Sequence, residues 1–401
     1  MTTRDFLLAT AISGNILSCA TQSSSHWWNQ EWRARIRIEV SAEGVNRSNK
    51  PVEVPVDFSS FLEQAGLEGS LDEISLRLME VDKKNVVVDD MVPFQFEKDG
   101  DYHPASNASG RLVFICTNTT QSAEKRTYDL YFDTVENSGG RTPARIETMV
   151  EVTDKIKHEG QESFKIATPA ATYYYHKAGA GFASMEDKHG VDWIGYRPGF
   201  ESGGEYRGIP NLWKFHPGQD SCISKVDIRG PIRARIRSLS LDGKWECIWD
   251  IFPDHARMSL LKINDTYWFL YEGIPGGSLE VDRDYNVLST GLRRSIAEDW
   301  HGDIPAPEWV YFGDDRIQRV LYLVHHEDDT HSDQFWQMRG EMVVFGFGRE
   351  YKCCGTYMDR VPACFTVGFA EDSVFFRVES QINNVRRPLS VWLGTAERLQ
   401  E

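Results

Sequence analysis

The sequence predicts an all-β chain, with a small N-terminal β-sandwich followed by a large antiparallel β-sandwich or jelly roll. Three observations carry this. Arg33–Val40 and, far downstream, Ile232–Leu239 alternate charged and apolar residues strictly, as half-buried antiparallel strands do. Short apolar runs recur throughout, separated by Gly, Pro, Asn and Ser, which break regular elements. Helical periodicity is confined to two short pieces, Ser59–Leu67 and Leu292–Asp299.

Taken in order, strands are expected at Arg33–Val40, Val52–Phe58, Glu73–Val81, Arg111–Cys116 and Tyr128–Phe132. The run from Asn137 to Pro143 reads as a linker, since Gly, Ser and Pro concentrate there. Beyond it come Thr172–Lys177, Ile232–Leu239, Trp245–Phe252, Tyr267–Glu272, Val320–His326, Glu341–Arg349, Cys364–Phe369 and Ser373–Val378, all read as strands. The division is therefore residues 1–25 as export signal and tether, 26–136 as an accessory sandwich, and 149–401 as the large, catalytic one.

With 401 residues, two domains each bury a sizeable core. The net charge of −16 excludes nucleic acid as a partner, while leaving room for a local arginine cluster that attracts an anionic glycan. No apolar run is long enough for a transmembrane helix. Arg4 followed by Phe6–Ile12 reads as an export signal, and Leu17-Ser18-Cys19 resembles the lipobox of bacterial lipoproteins, which implies a lipid anchor at Cys19. The chain is thus expected in the periplasm, on the outer membrane or outside the cell. The other cysteines fit no zinc spacing. Either Cys353 or Cys354 bonds Cys364, or the thiols pack free as small apolar groups.

The opening Trp27-Trp28-Asn29-x-x-Trp32, the arginine-rich strand after it, Pro93-Phe94-Gln95-Phe96 and the closing Arg126–Phe132 resemble a β-sandwich module of bacterial cell-surface and secreted proteins. That resemblance covers about a quarter of the chain and implies an accessory domain beside a glycan-acting one. The C-terminal part is similar, in strand richness and aromatic loops only, to β-sandwich polysaccharide lyases and jelly-roll glycosidases.

The chemistry-bearing stretch runs from Thr172 to His216. Alternation puts Tyr174 and His176 on one strand face, and Tyr173 and Tyr175 on the other. Asp192, Trp193, Tyr196, Arg197, Tyr206, Arg207, Asn211, Trp213 and His216 follow in Gly- and Pro-rich loops. Flat aromatic faces beside Arg, His and Asn suit sugar rings and their carboxylates. Polysaccharide β-elimination needs a neutralised uronate carboxylate, a base for the C5 proton and an acid for the leaving oxygen. These roles are expected of Arg207 and Asn211, of His176, and of Tyr174, respectively. Tyr175, Trp193, Tyr206, Trp213 and His216 are the expected substrate wall, joined by Trp300, His301 and the stripe Arg233 and Arg235. Packing against a sandwich core explains the same tyrosines without any substrate.

A second dense run, His325-His326-Glu327-Asp328-Asp329, offers His326 as a further catalytic candidate. Glu327, Asp328 and Asp329 are candidate ligands for a structural Ca²⁺, although no cofactor is required by the pattern, and histidine with carboxylate suits Zn²⁺ or Mn²⁺. Scattered carboxylates, namely Glu246, Asp250, Asp254, Glu272, Asp299 and Glu308, leave glycoside hydrolysis as the alternative. Glu246 and Asp250 share a strand face roughly 13 Å apart. That exceeds the separation of about 5 Å or about 6.5–9.5 Å that hydrolysis uses. A non-catalytic glycan-binding surface protein is the remaining reading.

Overall fold

The computed structural model describes residues 27–199, 204–352 and 355–400. The export signal, Cys19, Cys353 and Cys354 lie outside the described residues. The chain is nearly all β, as the alternation patterns require.

The first sandwich is built from β1 (Ala34–Ser41), β2 (Arg47–Asp57), β3 (Arg77–Val81), β4 (Val87–Asp89), β5 (Phe94–Lys98), β6 (Ser109–Thr120) and β7 (Lys125–Phe132), with the short helix α1 (Phe58–Gln64) after β2. One sheet runs β1-β7-β3-β4 and the other β2-β6-β5. Ile36, Ile38 and Val40 point inward against Phe58, Leu112, Phe114 and Leu130. The arginines on the opposite face of β1 are committed to partners: Arg35 and Arg37 share Asp129, and Arg33 holds Asp133. Trp32 is buried and donates to the carbonyl of Ser75, with Trp28 packed on it, so the tryptophan opening anchors this outer face.

The large unit has two layers. One contains β8 (Glu151–His158), β9 (Gln161–Ala167), β10 (Ala171–His176) and β11 (Gly181–Asp187) as one four-stranded sheet. The facing layer is the nine-stranded sheet, whose first strands are β12 (Cys222–Arg229), β13 (Ala234–Ser240), β14 (Glu246–Ile251) and β15 (His255–Lys262). After β16 (Phe269–Gly273) come β17 (Asp284–Leu288), β18 (Arg293–Ser295), β19 (Trp300–Gly302), β20 (Trp309–Asp314), β21 (Val320–His325), β22 (Asp333–Met338), β23 (Met342–Phe347) and β24 (Ala363–Ala370). Strands β17, β18, β20, β21 and β24 complete the nine-stranded sheet, and β16-β23-β22-β19 form a second four-stranded sheet in the first layer. Two isolated bridges, Phe182 to Ile209 and Gly208 to Glu272, splice the two four-stranded sheets into one continuous layer. The main core, including Trp249, Phe269, Phe312, Phe345 and Phe365, lies between this layer and the nine-stranded sheet.

Three expectations need correcting. Ser373–Val378 is not a strand: it enters the helix α2 (Phe375–Arg386), because Val378, Ile382 and Val385 form an apolar stripe of helical spacing that covers Trp309, Tyr311 and Tyr322 on the outer face of the nine-stranded sheet. Leu292–Asp299 is not a helix: Leu292 is exposed, only Ile296 reaches the core, and Arg293–Ser295 forms β18 against β17. Finally, β25 (Ser390–Leu393) and β26 (Glu397–Arg398), placed by sequence in the large unit, pair with β1 and finish the first sandwich.

The two units meet through a buried polar interface. Arg233 is fully buried and bridges Glu53 and Glu97, while Arg257 holds Glu53 at 2.7 Å. Gln95 accepts the N–H groups of Ile232 and Arg233. At the end of α2, Arg47 donates to the carbonyls of Asn384, Arg387 and Pro388, and Lys50 to that of Val385. Those of Asn384 and Val385 are orphan carbonyls of the last helical turn, and cations are the favoured partners there. Among the described residues Cys116, Cys222, Cys247 and Cys364 are free thiols, as the packing alternative expects.

Candidate functional site

Strand β10 sorts its aromatic run as its alternation requires. Tyr173 and Tyr175 enter the core, where the Tyr175 hydroxyl bonds Ser238 at 2.7 Å, so Tyr175 is out of reach of any substrate. Tyr174 and His176 take the outer face of the spliced layer. There Tyr174 stacks on His158 of β8, with ring centres 4.5 Å apart.

His176 does not have a free nitrogen. Its Nδ1 accepts the Gly218 N–H at 3.2 Å, and its Nε2 stands 3.3 Å from His158 Nδ1. The Gly218 donor places the His176 proton on Nε2, which then donates to His158. Burial, reinforced by the neighbouring His158, lowers the His176 pKa to about 3, so the ring stays neutral. Both nitrogens of His176, the expected base, are thus engaged within the protein. His158, with its Nδ1 engaged by His176, lines a groove of about 710 Å³.

Asp192, Tyr196 and Arg197 line the same groove. Asp192 sits in a tight turn, and its carboxylate accepts the N–H groups of Met185, Ile194 and Gly195, each at 3.0 Å. Gly195 has φ +72°, and a side chain there would meet Ile274 at 2.8 Å and the Arg207 guanidinium at 3.1 Å. Burial raises the Asp192 pKa despite those three donors. Burial likewise raises that of Tyr196, with Glu205 and Glu159 adding to it, so the phenol keeps its proton. Tyr196 packs edge-on against His176, and its hydroxyl donates to no described residue.

Arg207 is close by, but both its terminal nitrogens are occupied by the carbonyls of Gly195 and Glu341. Its expected grip on a substrate carboxylate is therefore replaced by a brace between two loops. Its Nε is buried without a partner, and burial first, then Arg197, holds its pKa below the ordinary value.

Behind the brace is a second buried group. Asn211 donates to Glu272 at 2.9 Å, and His216 lies 3.6 Å from the same carboxylate while bonding the Tyr206 carbonyl. Asn211 and His216 thus serve Glu272 and the loop rather than an open surface. Trp213 is half-exposed and stacks on Trp268, and Tyr206 is similarly exposed beside His216, so these two keep an accessible aromatic face. Trp193 is wholly buried against Phe369. Trp300 is a core residue stacked on Phe335, whereas its neighbour His301 is exposed.

The second arginine stripe faces away from the groove. Arg233 belongs to the interface between units, Arg235 is held by Asp250 at 2.7 Å, and neither lines the groove. His326 also faces that interface: its Nε2 meets the Thr366 hydroxyl, and burial together with Arg257 lowers its pKa to about 3. Of the two adjacent histidines, His325 is the one in a carboxylate cluster, with Glu308 at 2.5 Å. Glu327 is half-exposed and accepts the Cys364 N–H, Asp328 is exposed, and Asp329 lies beside Glu308.

His158 was missed in the sequence because it ends a strand of alternating charge and carries no motif. Asp192, three residues before Gly195 in a loop, had a legible turn signature, an acceptor side chain capping the following N–H groups.

No protein-family model matches the chain, and no curated protein matches it. Among solved structures, the chain is similar to the galactose mutarotase related enzyme from Lactobacillus acidophilus, at 10% identity and a TM-score of 0.37, over 53% of this chain and 98% of that one.

Proposed function

We propose that the chain is a carbohydrate-active enzyme that cleaves an acidic polysaccharide by β-elimination in the groove beside β10. One observation carries the reading: a carboxylate with raised proton affinity, a protonated tyrosine, a histidine and an arginine share one groove. Arg197 and the His158 Nε2–H hold the uronate carboxylate, and the nearby Arg207 adds positive potential. Asp192, fixed by three backbone donors, removes the C5 proton. The C4–oxygen bond breaks as the C4–C5 double bond forms, and Tyr196 gives its proton to the departing oxygen. Tyr206 and Trp213 offer apolar ring faces on the loop that leads from the groove.

Hydrolysis is less well served. It needs two carboxyl groups flanking the bond. Asp314 at the groove wall is tied up by Arg316, whose hydrogen bonds hold its pKa down against burial, and Glu159 stands exposed at the rim.

Incubation with a panel of acidic and neutral polysaccharides tests the reading. Elimination produces an unsaturated end that absorbs in the ultraviolet. Asp192→Asn and Tyr196→Phe should each lower kcat by about 10²–10⁴-fold with folding intact, the range for general acid–base groups. Reducing ends without ultraviolet absorbance would replace elimination by hydrolysis. The export expected from Phe6–Ile12 fits a substrate outside the cell, and fractionation of the native host tests it.

A further inference from the structure

The loop after β21 carries side chains that the groove does not use. Glu308, His325 and Asp329 each offer a ligand atom, and these lie within 4.8 Å of one another. Asp329 follows His325 by four residues, and Glu308 joins them because β20 and β21 pair, with Glu308 just before one strand and His325 ending the other. The Glu308 carboxylate fixes both partners: one oxygen is 2.5 Å from His325 Nδ1, and the other accepts the Asp329 N–H at 2.9 Å. A cavity of about 260 Å³ opens beside them, bordered by Tyr267, Glu327 and His331, with the exposed Arg360 at its edge.

The histidine supplies an independent reason to expect a ligand. Its side chain is 3% exposed, yet it lines that cavity. Glu308 engages Nδ1, which leaves Nε2 as the ring nitrogen turned away from it. Nε2 makes no hydrogen bond to any described residue, and the Glu327 carboxylate stands 3.7 Å from it. Nε2 and that carboxylate both line the cavity, at a separation that two ligands of one small cation can share.

We infer that this is a binding site for one divalent transition-metal ion. His325 and Asp329 ligate it, Glu327 closes the coordination from the edge, and Glu308 orients the imidazole. A carboxylate holding the far nitrogen of a ligating histidine is the usual supporting arrangement. A set of one imidazole with carboxylates suits Zn²⁺ or Mn²⁺ better than Ca²⁺, which takes oxygen ligands. The ion would tie the acidic loop to β21.

The test uses the full chain, stripped with a chelator and titrated calorimetrically with Zn²⁺, Mn²⁺ and Ca²⁺ alone. One Zn²⁺ or Mn²⁺ should bind per chain and raise the thermal midpoint, as any ligand of the folded state does. Glu327→Gln, at an exposed position, and Asp329→Asn should each weaken binding at least tenfold, whereas Asp192→Asn in the groove should bind as wild type does. The inference is overturned if neither ion binds one-to-one, which would mean that the His325 imidazolium itself offsets the carboxylates. It is equally overturned if both loop variants bind unchanged, or if Ca²⁺ alone binds.

Discussion

Lys50 carries a penalty that a single substitution should remove. The residue lies on β2 at the interface between the two units, nine-tenths buried, and its ammonium has the Val385 carbonyl as its hydrogen-bond partner at 2.7 Å. Burial, reinforced by Arg47, lowers its pKa from 10.5 to about 7. At about 1.36 kcal/mol per tenfold change in proton affinity, that displacement corresponds to about 5 kcal/mol. The sign follows from linkage. Below pH 7 the amine is charged in both states, and the folded state bears the whole cost. Between pH 7 and 10.5 the unfolded chain binds more protons than the folded one, so this group makes stability rise with pH. Lys50→Met removes the charge while filling the same space, but leaves the Val385 carbonyl without its donor, at about 1–3 kcal/mol. The variant should therefore be more stable than wild type by about 3 kcal/mol at pH 6. At pH 9.5, where most of the wild-type penalty has gone, the two should be nearly equal. Urea unfolding at both pH values measures this, read as a change in midpoint at constant slope. A difference between the two proteins that stays the same at both pH values refutes the reasoning, because no titrating cost would then reside at Lys50.

Arg233→Ala leaves Glu53 and Glu97 facing each other at the interface, and should cost about 3–5 kcal/mol of stability by urea unfolding, with KM for an anionic substrate unchanged. His176→Gln should lower kcat and shift its pH profile through misorientation of His158, whereas Tyr175→Phe should lose about 1 kcal/mol of stability with normal turnover. The acid limb of kcat/KM should lie above the ordinary aspartate range, since the Asp192 pKa is raised and the base is active only when ionised; Asp192→Asn should abolish that limb. Truncation after Arg387 removes β25 and β26 and bares the edge of β1, so hydrogen exchange should show the first sandwich opening while β20, β21 and β24 stay protected.

The sequence by itself determined that the chain is all-β, and which faces of the strands are which. A pleated strand turns successive side chains to opposite sides, so the strict alternation of β1 and β10 could be read without a structure, down to Tyr174 and His176 standing apart from Tyr173 and Tyr175. It also located the loop stretch that carries the groove. Only the tertiary structure decided which polar groups are free. His176, Arg207 and Asn211 are the right residue types for the chemistry, but Gly218, Gly195 and Glu272 occupy them, and those partners come from other loops. His158 joins Asp192 and Tyr196 in the groove from a separate strand, which no local pattern records. The splice of two sheets through Gly208 and Ile209, the return of β25 to β1, and the meeting of Glu308 with His325 are of the same kind. Each depends on pairings between distant segments, fixed by the burial of a shared core rather than by any periodicity within one stretch of chain.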